Sequence, residues 1–291
     1  MKNQYTFGTD PEVFVYDLEA NAVISAHDLL PGSKAHPHKT EHGYVQPDGV
    51  AAEFNIPPAK TDKEFAQSIT SVMDDLRKII LKHRPQAMLL TTPVIRFEPA
   101  YWAKLPKDVR ALGCMPDYNA WSLGKNPKPN DKIDFRSGGF HLHVGWDDED
   151  RDPDGIEHFD DCALRVRQLE CSIYPASLLW DSNEDRRKLY GGMGSFRPKP
   201  YGFEWRSLSN AIMRSKSAGF EWLFRTAKRS MEDYDEGIEY INDKTIREMM
   251  SKIGGKTVTE SELRDFVGEF MPHEFGHENP AFLDIDNGIP F

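Results

Sequence analysis

Three pairs of chargeable side chains stand two residues apart inside apolar segments that are typical of strands. The pairs are Asp10 with Glu12, His141 with His143, and Glu204 with Arg206. Residues two apart on a strand point to the same face of a sheet, so each pair predicts two chargeable groups side by side. Unpaired charge is costly to bury, and a purely structural sheet has no reason to collect it. We therefore predict a sheet face that carries ligands for metal ions and phosphate.

A fourth acidic segment, PDGVAAEFN, adds Asp48 at a predicted turn and Glu53 in a predicted strand. Carboxylate oxygens are the ligands that Mg²⁺ takes, so these two acids extend the predicted metal site. Asn55 follows Glu53 by two residues and shares its face, and Gln46 precedes Asp48 by two. The alternative interpretation is a set of solvent-facing acids and a charge on an edge strand.

The two histidines are the strongest single signal. In GGFHLHVGW, the apolar residues Phe140, Leu142 and Val144 are predicted to face the core. His141 and His143 then share the opposite face, where they can bind a metal or contact phosphate. The two preceding glycines permit close approach of the backbone. One histidine of this kind is usually structural, whereas two at strand spacing favour function.

The formal net charge is −11, yet one stretch of the chain is strongly basic. Its members are Arg186, Arg187, Lys188, Arg197, Lys199, Arg206 and Arg214. This local reversal of charge predicts an anion site, and the glycine-rich segment DRRKLYGGMGSFRPKPYG is typical of a moving loop that contacts phosphate. The alternatives are a solvated run of charge and, for Glu204 with Arg206, a cross-strand ion pair.

Composition excludes several classes of function. The hydrophobic content of 39% and the charged content of 29% are those of a soluble globular protein. The acidic net charge argues against broad binding of nucleic acid. The three cysteines have neither disulfide nor zinc spacing, which favours a reducing compartment. The N-terminus lacks the apolar segment of a secretory signal, and no apolar run approaches the roughly 20 residues of a membrane span. We expect a cytoplasmic protein without a membrane partner.

The segment 98–136 is rich in proline and is predicted to be a long, functional loop. Asp117 and Tyr118 within it are predicted to bind substrate. Cys114 is a weak candidate nucleophile, because no base lies near it in the sequence.

Periodicity and turn residues predict the following elements. Strands are expected at 5–16, 21–27, 87–96, 138–146 and 203–210, with one or two more over 43–57 broken at the turn residues Pro47, Asp48 and Gly49. Helices are expected at 63–84, 156–180, 215–234, 243–253 and 259–270. Strands joined by short turns, without regular strand–helix alternation, predict an α+β fold with a mostly antiparallel curved sheet and flanking helices. No GxGxxG or Walker A motif occurs.

The order of these motifs resembles that of the glutamine synthetase and glutamate–cysteine ligase superfamily. It resembles most closely the phage-associated carboxylate–amine ligases of type 2 within that superfamily. The resemblance covers about residues 5–225 and rests on GTDPEVFV, PGSK, VQPDGVAAEFN, GCMPDYNAW, GGFHLHVG and RRKLYGGMGSFRPKPYGFEWRSLSN. Each motif is weak alone, but six in the same order are specific.

The resemblance implies a glutamine synthetase-like fold around a site for ATP and two or three Mg²⁺ ions, for which Mn²⁺ can substitute. It implies that ATP phosphorylates a carboxylate and that an amine attacks the acyl phosphate to form an amide. The substrates would be small-molecule or peptide carboxylates and amines, and a phage-encoded enzyme would act in the host cytoplasm. One domain would span residues 1–291, with residues 215–291 as its helical C-terminal part. The oligomeric state stays open.

The resemblance also implies roles for particular residues. The metal ligands would be Glu12, Glu53, His141 and Glu204, with Asp10 and Asp48 as further candidates. His143 and Arg206 would contact the nucleotide phosphates. Asn55 is expected beside the cofactor because it shares the face of Glu53, not because of the resemblance. Arg186, Arg187 and Arg197 would stabilise the transferred phosphoryl group together with Arg206. Asp10 stands where many members of the superfamily have Glu, which shortens its reach.

Two other classes of function compete with the ligase. A metal-dependent hydrolase or oxygenase could use His141, His143 and a carboxylate as a facial set of ligands. The arginine-rich segment argues against it, because such sites need few cations. A non-catalytic protein that retained the fold is the third class, and the complete series of ligands argues against that.

Overall fold

The computed structural model describes residues 4–111, 117–128, 135–148, 151–181 and 183–270. Strands and helices follow one another irregularly in these ranges. The strands are β1 (Tyr5–Thr9), β2 (Glu12–Asp17), β3 (Ala22–Ile24), β4 (His38–Lys39), β5 (Tyr44–Asp48), β6 (Ala51–Asn55), β7 (Ala87–Leu90), β8 (Val94–Arg96), β9 (Tyr118–Asn119), β10 (Phe135–Ser137), β11 (Leu142–Trp146), β12 (Ser195–Lys199) and β13 (Gly202–Trp205). The α-helices are α1 (Asp62–His83), α2 (Pro99–Lys104), α3 (Lys107–Arg110), α4 (Ile156–Trp180), α5 (Glu184–Leu189), α6 (Lys216–Asp235), α7 (Lys244–Gly254) and α8 (Glu260–Phe270).

The strands form antiparallel sheets. One sheet has the order β1-β11-β13-β12-β9, and a larger one has the order β3-β2-β6-β5-β4, with β7 also paired to β2. Strands β8 and β10 pair separately. The antiparallel sheet curls into half a barrel with helices along it, which confirms the predicted α+β class.

Alternation along the strands directs apolar side chains toward the helices. Phe7 of β1 packs edge-to-face on Phe224 of α6, with ring centroids 4.9 Å apart. Phe140, Leu142 and Val144 are fully buried, which confirms their predicted place in the core. The charged residues between them therefore occupy the other face of the five-stranded sheet.

Helix α1 illustrates how local sequence sets these elements. The Thr61 side chain accepts a hydrogen bond from the Glu64 amide at the N-terminus. Phe65, Ile69 and Leu76 recur at helical spacing and are buried. The predicted helix at 63–84 is thus confirmed.

The prediction of one strand over 5–16 is wrong. The chain leaves the five-stranded sheet after Thr9 and enters the six-stranded sheet at Glu12. Pro11 has no backbone N–H to give to a ladder, so the break falls where proline requires it. Asp10 therefore lies between two sheets and not beside Glu12 on one strand.

Three other predicted elements also need correction. Residues 87–96 form two strands in different sheets, and the predicted loop at 98–136 contains α2 and α3. Helix α2 starts with Pro99 in its first turn and is capped by the Glu98 side chain, a local signal that outweighs the high proline content. The predicted strand at 203–210 ends at Trp205, so Arg206 lies beyond it.

The C-terminal helices share the main hydrophobic core. Leu223 of α6, Met250 of α7 and Phe266 of α8 belong to the same buried cluster as the strand residues Phe7 and Phe203. None of the helices in the described ranges is long and apolar enough to cross a bilayer.

Candidate active site

A cavity of about 560 Å³ lies where the two large sheets meet. A volume of this size is typical of small-molecule sites. Its lining contains all six predicted metal ligands, namely Asp10, Glu12, Asp48, Glu53, His141 and Glu204. It also contains five cationic side chains, namely Lys34, Arg136, Arg197, Lys199 and Arg206.

The five-stranded sheet contributes a row of polar residues across its strands. Glu204 of β13 pairs in register with His143 of β11 on one side and Arg197 of β12 on the other. Because paired residues point to the same face, the sheet itself sets this row. The Glu204 carboxylate also contacts the Lys199 ammonium at 2.7 Å and the Arg206 guanidinium.

The first candidate cation site consists of Asp10, His141 and Glu204. One ligand atom from each lies within 4.8 Å of the others. His141 Nδ1 is 3.0 Å from Asp10 Oδ1 and 3.7 Å from Glu204 Oε1. Burial raises the pKa of Asp10, but attraction to His141 and His143 outweighs it and holds that pKa well below its ordinary value. Asp10 is therefore ionised at neutral pH.

The second candidate cation site lies on the six-stranded sheet and consists of Glu12, Asp48 and Glu53. Glu12 and Glu53 face each other in the register of β2 and β6, and the three ligand atoms lie within 4.8 Å of one another. Burial raises the pKa of Glu53 well above its ordinary value, and repulsion by Asp10 and Asp48 adds to the effect. Burial likewise raises the pKa of Glu12, even though the Gly139 amide donates to it at 2.8 Å.

The chemistry of these donors fits a divalent cation. Buried carboxylates with raised pKa values gain a counter-charge when a cation binds, and oxygen ligands suit Mg²⁺ or Mn²⁺. The buried Nε2 of His141 has no hydrogen-bond partner in the described structure. A side chain on Gly139 would place its Cβ 2.5 Å from this nitrogen, so glycine keeps that space clear. The free nitrogen and the cleared space both accord with a bound cation.

The basic wall is suited to an anionic ligand. The Arg206 guanidinium lies 4.5 Å from the centroid of the Tyr190 ring, and burial lowers its pKa. Arg197 donates to the Tyr190 hydroxyl at 3.0 Å. Tyr190 thus holds two arginines in fixed positions at the cavity.

The structure separates Arg186 from this wall. The Arg186 side chain is fully buried, and its guanidinium donates to five backbone carbonyls. The acceptors belong to Gly138, Gly191, Arg206, Ser207 and Leu208. Since every N–H is used, Arg186 serves as an internal brace and not as the predicted phosphate contact.

Arg187 also lies away from the cavity. Arg187 belongs to α5, in a segment that the sequence predicted to be a moving loop, and donates hydrogen bonds to the backbone carbonyls of Asp181 and Asn183. It lines a separate pocket of about 300 Å³ beside α7. Its predicted role at the phosphoryl group is therefore corrected as well.

Four other predicted site residues do not line the cavity. His143 lies behind Asp10, with 3.3 Å between His143 Nε2 and Asp10 Oδ2, and donates to or accepts from the Tyr201 hydroxyl at 2.5 Å. Asp117 reaches the site through Arg206, with 3.6 Å between Oδ2 and Nε. The ring of Tyr118 packs on two phenylalanines, and Asn55 lies at the far end of β6. Cys114 lies outside the described residues.

Sequence reasoning missed Lys34, Arg136 and Tyr190. Lys34 stands in a predicted loop with no periodicity, although its motif PGSK belongs to the resemblance. Arg136 lies in β10, and its guanidinium stacks 4.4 Å from the centroid of the Trp102 ring in α2, a contact between distant segments. Only the tertiary structure brings these residues to the cavity.

The fold and the site together define a mixed α/β protein with a charged, two-sided cavity inside an antiparallel half-barrel. Comparison with protein-family models and with curated proteins gives no match to this chain. The function is therefore argued from the residues of the cavity.

Proposed function

We propose that the protein is an ATP-dependent carboxylate–amine ligase. The observation that supports this most is the presence of two cation-ligand clusters and a basic wall in one cavity. Enzymes that transfer phosphoryl groups rely on cations and positioned donors to neutralise the charge on phosphate.

The proposed reaction has two steps. A substrate carboxylate oxygen attacks the γ-phosphorus of ATP, ADP leaves, and an acyl phosphate forms. The nitrogen of an amine then attacks the acyl carbon, phosphate leaves, and the amine loses a proton. Both steps develop negative charge on phosphoryl oxygens, which the chain must offset.

The cavity residues divide these tasks by sheet. Glu12, Asp48 and Glu53 on one side, and Asp10, His141 and Glu204 on the other, would hold Mg²⁺ or Mn²⁺. When bound, these ions neutralise phosphate charge. Arg206, Arg197 and Lys199 would orient the phosphates, and Tyr190 fixes the two arginines.

A metal-dependent hydrolase or oxygenase is the second candidate. Both His141 and His143 contact Asp10, so these three residues could form a set of metal ligands with two histidines and one carboxylate. The cationic residues around Glu204 argue against it, because they would repel a metal ion that binds without an anionic substrate such as phosphate.

Binding of a non-hydrolysable ATP analogue tests the proposal. Calorimetric titration in Mg²⁺ is expected to give about one site per chain, and EDTA is expected to abolish it. Glu204→Gln should weaken analogue binding and ADP release at least tenfold, because it removes a ligand at the centre of the basic wall. Glu248→Gln, on the exposed face of α7, is the matched control.

Two results would overturn the ligase. One is no analogue binding with either Mg²⁺ or Mn²⁺. The other is unchanged ADP release by Glu204→Gln across a screen of carboxylates and amines. Zinc or iron at one per chain without nucleotide affinity would favour the hydrolase or oxygenase.

A further inference from the structure

Lys34 is a charged residue of the cavity to which the proposed reaction assigns no role. It stands at the tip of the segment between β3 and β4, where Ser33 and His36 exchange two backbone hydrogen bonds of 3.0 Å. Gly32 has a φ of +85°, a conformation that favours glycine and turns the chain back. The tight turn presents Lys34 to the cavity from the outside.

The Lys34 ammonium contacts the second candidate cation site. Its Nζ lies 2.5 Å from Asp48 Oδ2, and Asp48 belongs to the same cluster as Glu12 and Glu53. The Lys34 side chain is 57% exposed, whereas that of Asp48 is 23% exposed. An ion pair with so exposed a partner is worth little, so the ammonium can leave at low cost.

The cluster needs a positive charge near Asp48. Three carboxylates whose ligand atoms lie within 4.8 Å repel one another when ionised. Glu12 and Glu53 are buried, so solvent screens this repulsion poorly. The Lys34 ammonium offsets part of this repulsion, and a divalent cation would offset more of it because it carries twice the charge.

We propose that the Lys34 ammonium occupies the place of the second divalent cation, so that Lys34 and the cation compete for Asp48. Binding of the second cation then expels Lys34 and frees its turn from the cavity. The inference rests on the proposed function, because it assigns the cluster to a cation that the ligase reaction uses. It adds a residue that sets the affinity for that cation.

Titration with Mn²⁺ in the absence of nucleotide tests the competition. Free Mn²⁺ is followed by electron paramagnetic resonance for the wild type and for Lys34→Met, which keeps the aliphatic stem and removes the charge. Removing the competing ammonium is expected to tighten the second cation site about two- to fivefold, the range that an exposed ion pair allows, and to leave the first site unchanged. Lys39→Met, an exposed lysine of β4, is the matched control and should match the wild type.

Further variants and outcomes keep the two proposals apart. Asp48→Asn should abolish the tightening by Lys34→Met, and urea unfolding should show all variants to be folded. Equal Mn²⁺ affinities of Lys34→Met and the wild type overturn the competition alone. Absence of Mn²⁺ binding in every variant overturns both the competition and the metal half of the proposed ligase.

Discussion

Arg186 shows, at the scale of one residue, how burial changes the role that a side-chain type suggests. An arginine in a glycine-rich basic segment predicts a phosphate contact, yet its five N–H groups all meet backbone carbonyls. Burial lowers its pKa to about 10, which still leaves it charged at neutral pH. The acceptors lie before β11 (Gly138), before β12 (Gly191) and after β13 (Arg206, Ser207 and Leu208), so Arg186 joins the strand ends that carry the site.

Replacing Arg186 tests that structural role. Arg186→Met is expected to lower the free energy of unfolding by about 3–5 kcal/mol, because it leaves five buried carbonyl oxygens without a hydrogen-bond donor. Lys188 in the same helix has a side chain that is 60% exposed, so Lys188→Met should change the free energy of unfolding by less than about 0.5 kcal/mol. Urea unfolding measures both. A stable Arg186→Met protein with weakened binding of the ATP analogue would instead restore the predicted phosphate contact.

Glu170 is a second buried group with a structural consequence. Its Oε1 accepts hydrogen bonds from the Gly194 amide at 2.8 Å, the Trp205 indole at 2.7 Å and the Ser207 hydroxyl at 2.5 Å. Burial raises the pKa of Glu170 to about 7, and these hydrogen bonds oppose the shift. The Glu170 carboxyl group therefore links α4 to both sides of Arg206.

The raised pKa of Glu170 predicts a dependence of stability on pH. Between about pH 4.5 and pH 7 the folded protein holds a proton that the unfolded chain has lost, so stability falls as pH rises through this window. The loss is on the order of 3 kcal/mol and is complete above about pH 7. Glu170→Gln keeps the acceptor and cannot ionise. The free energy of unfolding of Glu170→Gln relative to that of the wild type should therefore rise from pH 5 to pH 8 in urea unfolding. A difference that stays constant with pH would contradict the raised pKa of Glu170.

At the scale of elements, each charged pair lies across the end of a strand. Asp10 precedes β2, His141 precedes β11, and Arg206 follows β13. The spacing of two residues correctly indicated strands, but one member of each pair lies outside the ladder. Residues at strand ends can approach a neighbouring sheet, which is why these pairs meet at a junction of sheets.

Gly139 lies just before His141, ahead of the start of β11, where an added Cβ atom should change the position of the His141 ring. Gly139→Ala would place a Cβ 2.5 Å from His141 Nε2, so the imidazole must move. We expect Mn²⁺ affinity to fall about 10- to 100-fold with little loss of secondary structure.

The matched control for Gly139 is Gly8 of β1, the strand that pairs with β11. Gly8→Ala meets its nearest atom, His143 Cβ, at an ordinary 3.7 Å and should bind Mn²⁺ as the wild type does. Mn²⁺ titration and circular dichroism measure both variants. Equal affinities of Gly139→Ala and Gly8→Ala would show that the space beside His141 Nε2 is not used.

At the scale of the whole molecule, the cavity joins two sheets whose facing walls both carry buried carboxylates. A cation bound there would contact residues of both sheets and would be lost on unfolding. Mn²⁺ at 100 times its dissociation constant is therefore expected to raise the free energy of unfolding by about 2.7 kcal/mol.

Urea unfolding with and without Mn²⁺ measures this stabilisation. Glu53→Gln should reduce it, since it takes a buried ligand from the second cluster and leaves the first cluster intact, whereas Glu248→Gln should leave the full stabilisation. The same midpoint with and without Mn²⁺ in the wild type would argue against a cation at either cluster.

The sequence by itself determined the local structure and the chemical inventory of this protein. Alternation over residues 138–146, the Thr61 cap and the helical spacing after it act between neighbouring residues, so they can be predicted from short segments. The same local patterns singled out six acidic and histidine residues that line one cavity. Their chemistry does not depend on knowing the fold.

Only the tertiary structure decided how these residues are divided between the two sheets and which lysine and arginine side chains contact them. The separation of Asp10 from Glu12, the enclosure of Arg186 by carbonyls and the approach of Lys34 to Asp48 all depend on contacts between distant segments. Such contacts arise from the packing of whole elements, where burial and register compete across the molecule. A local pattern carries no information about that competition, and for this reason the arginine and lysine roles could not be predicted from the sequence.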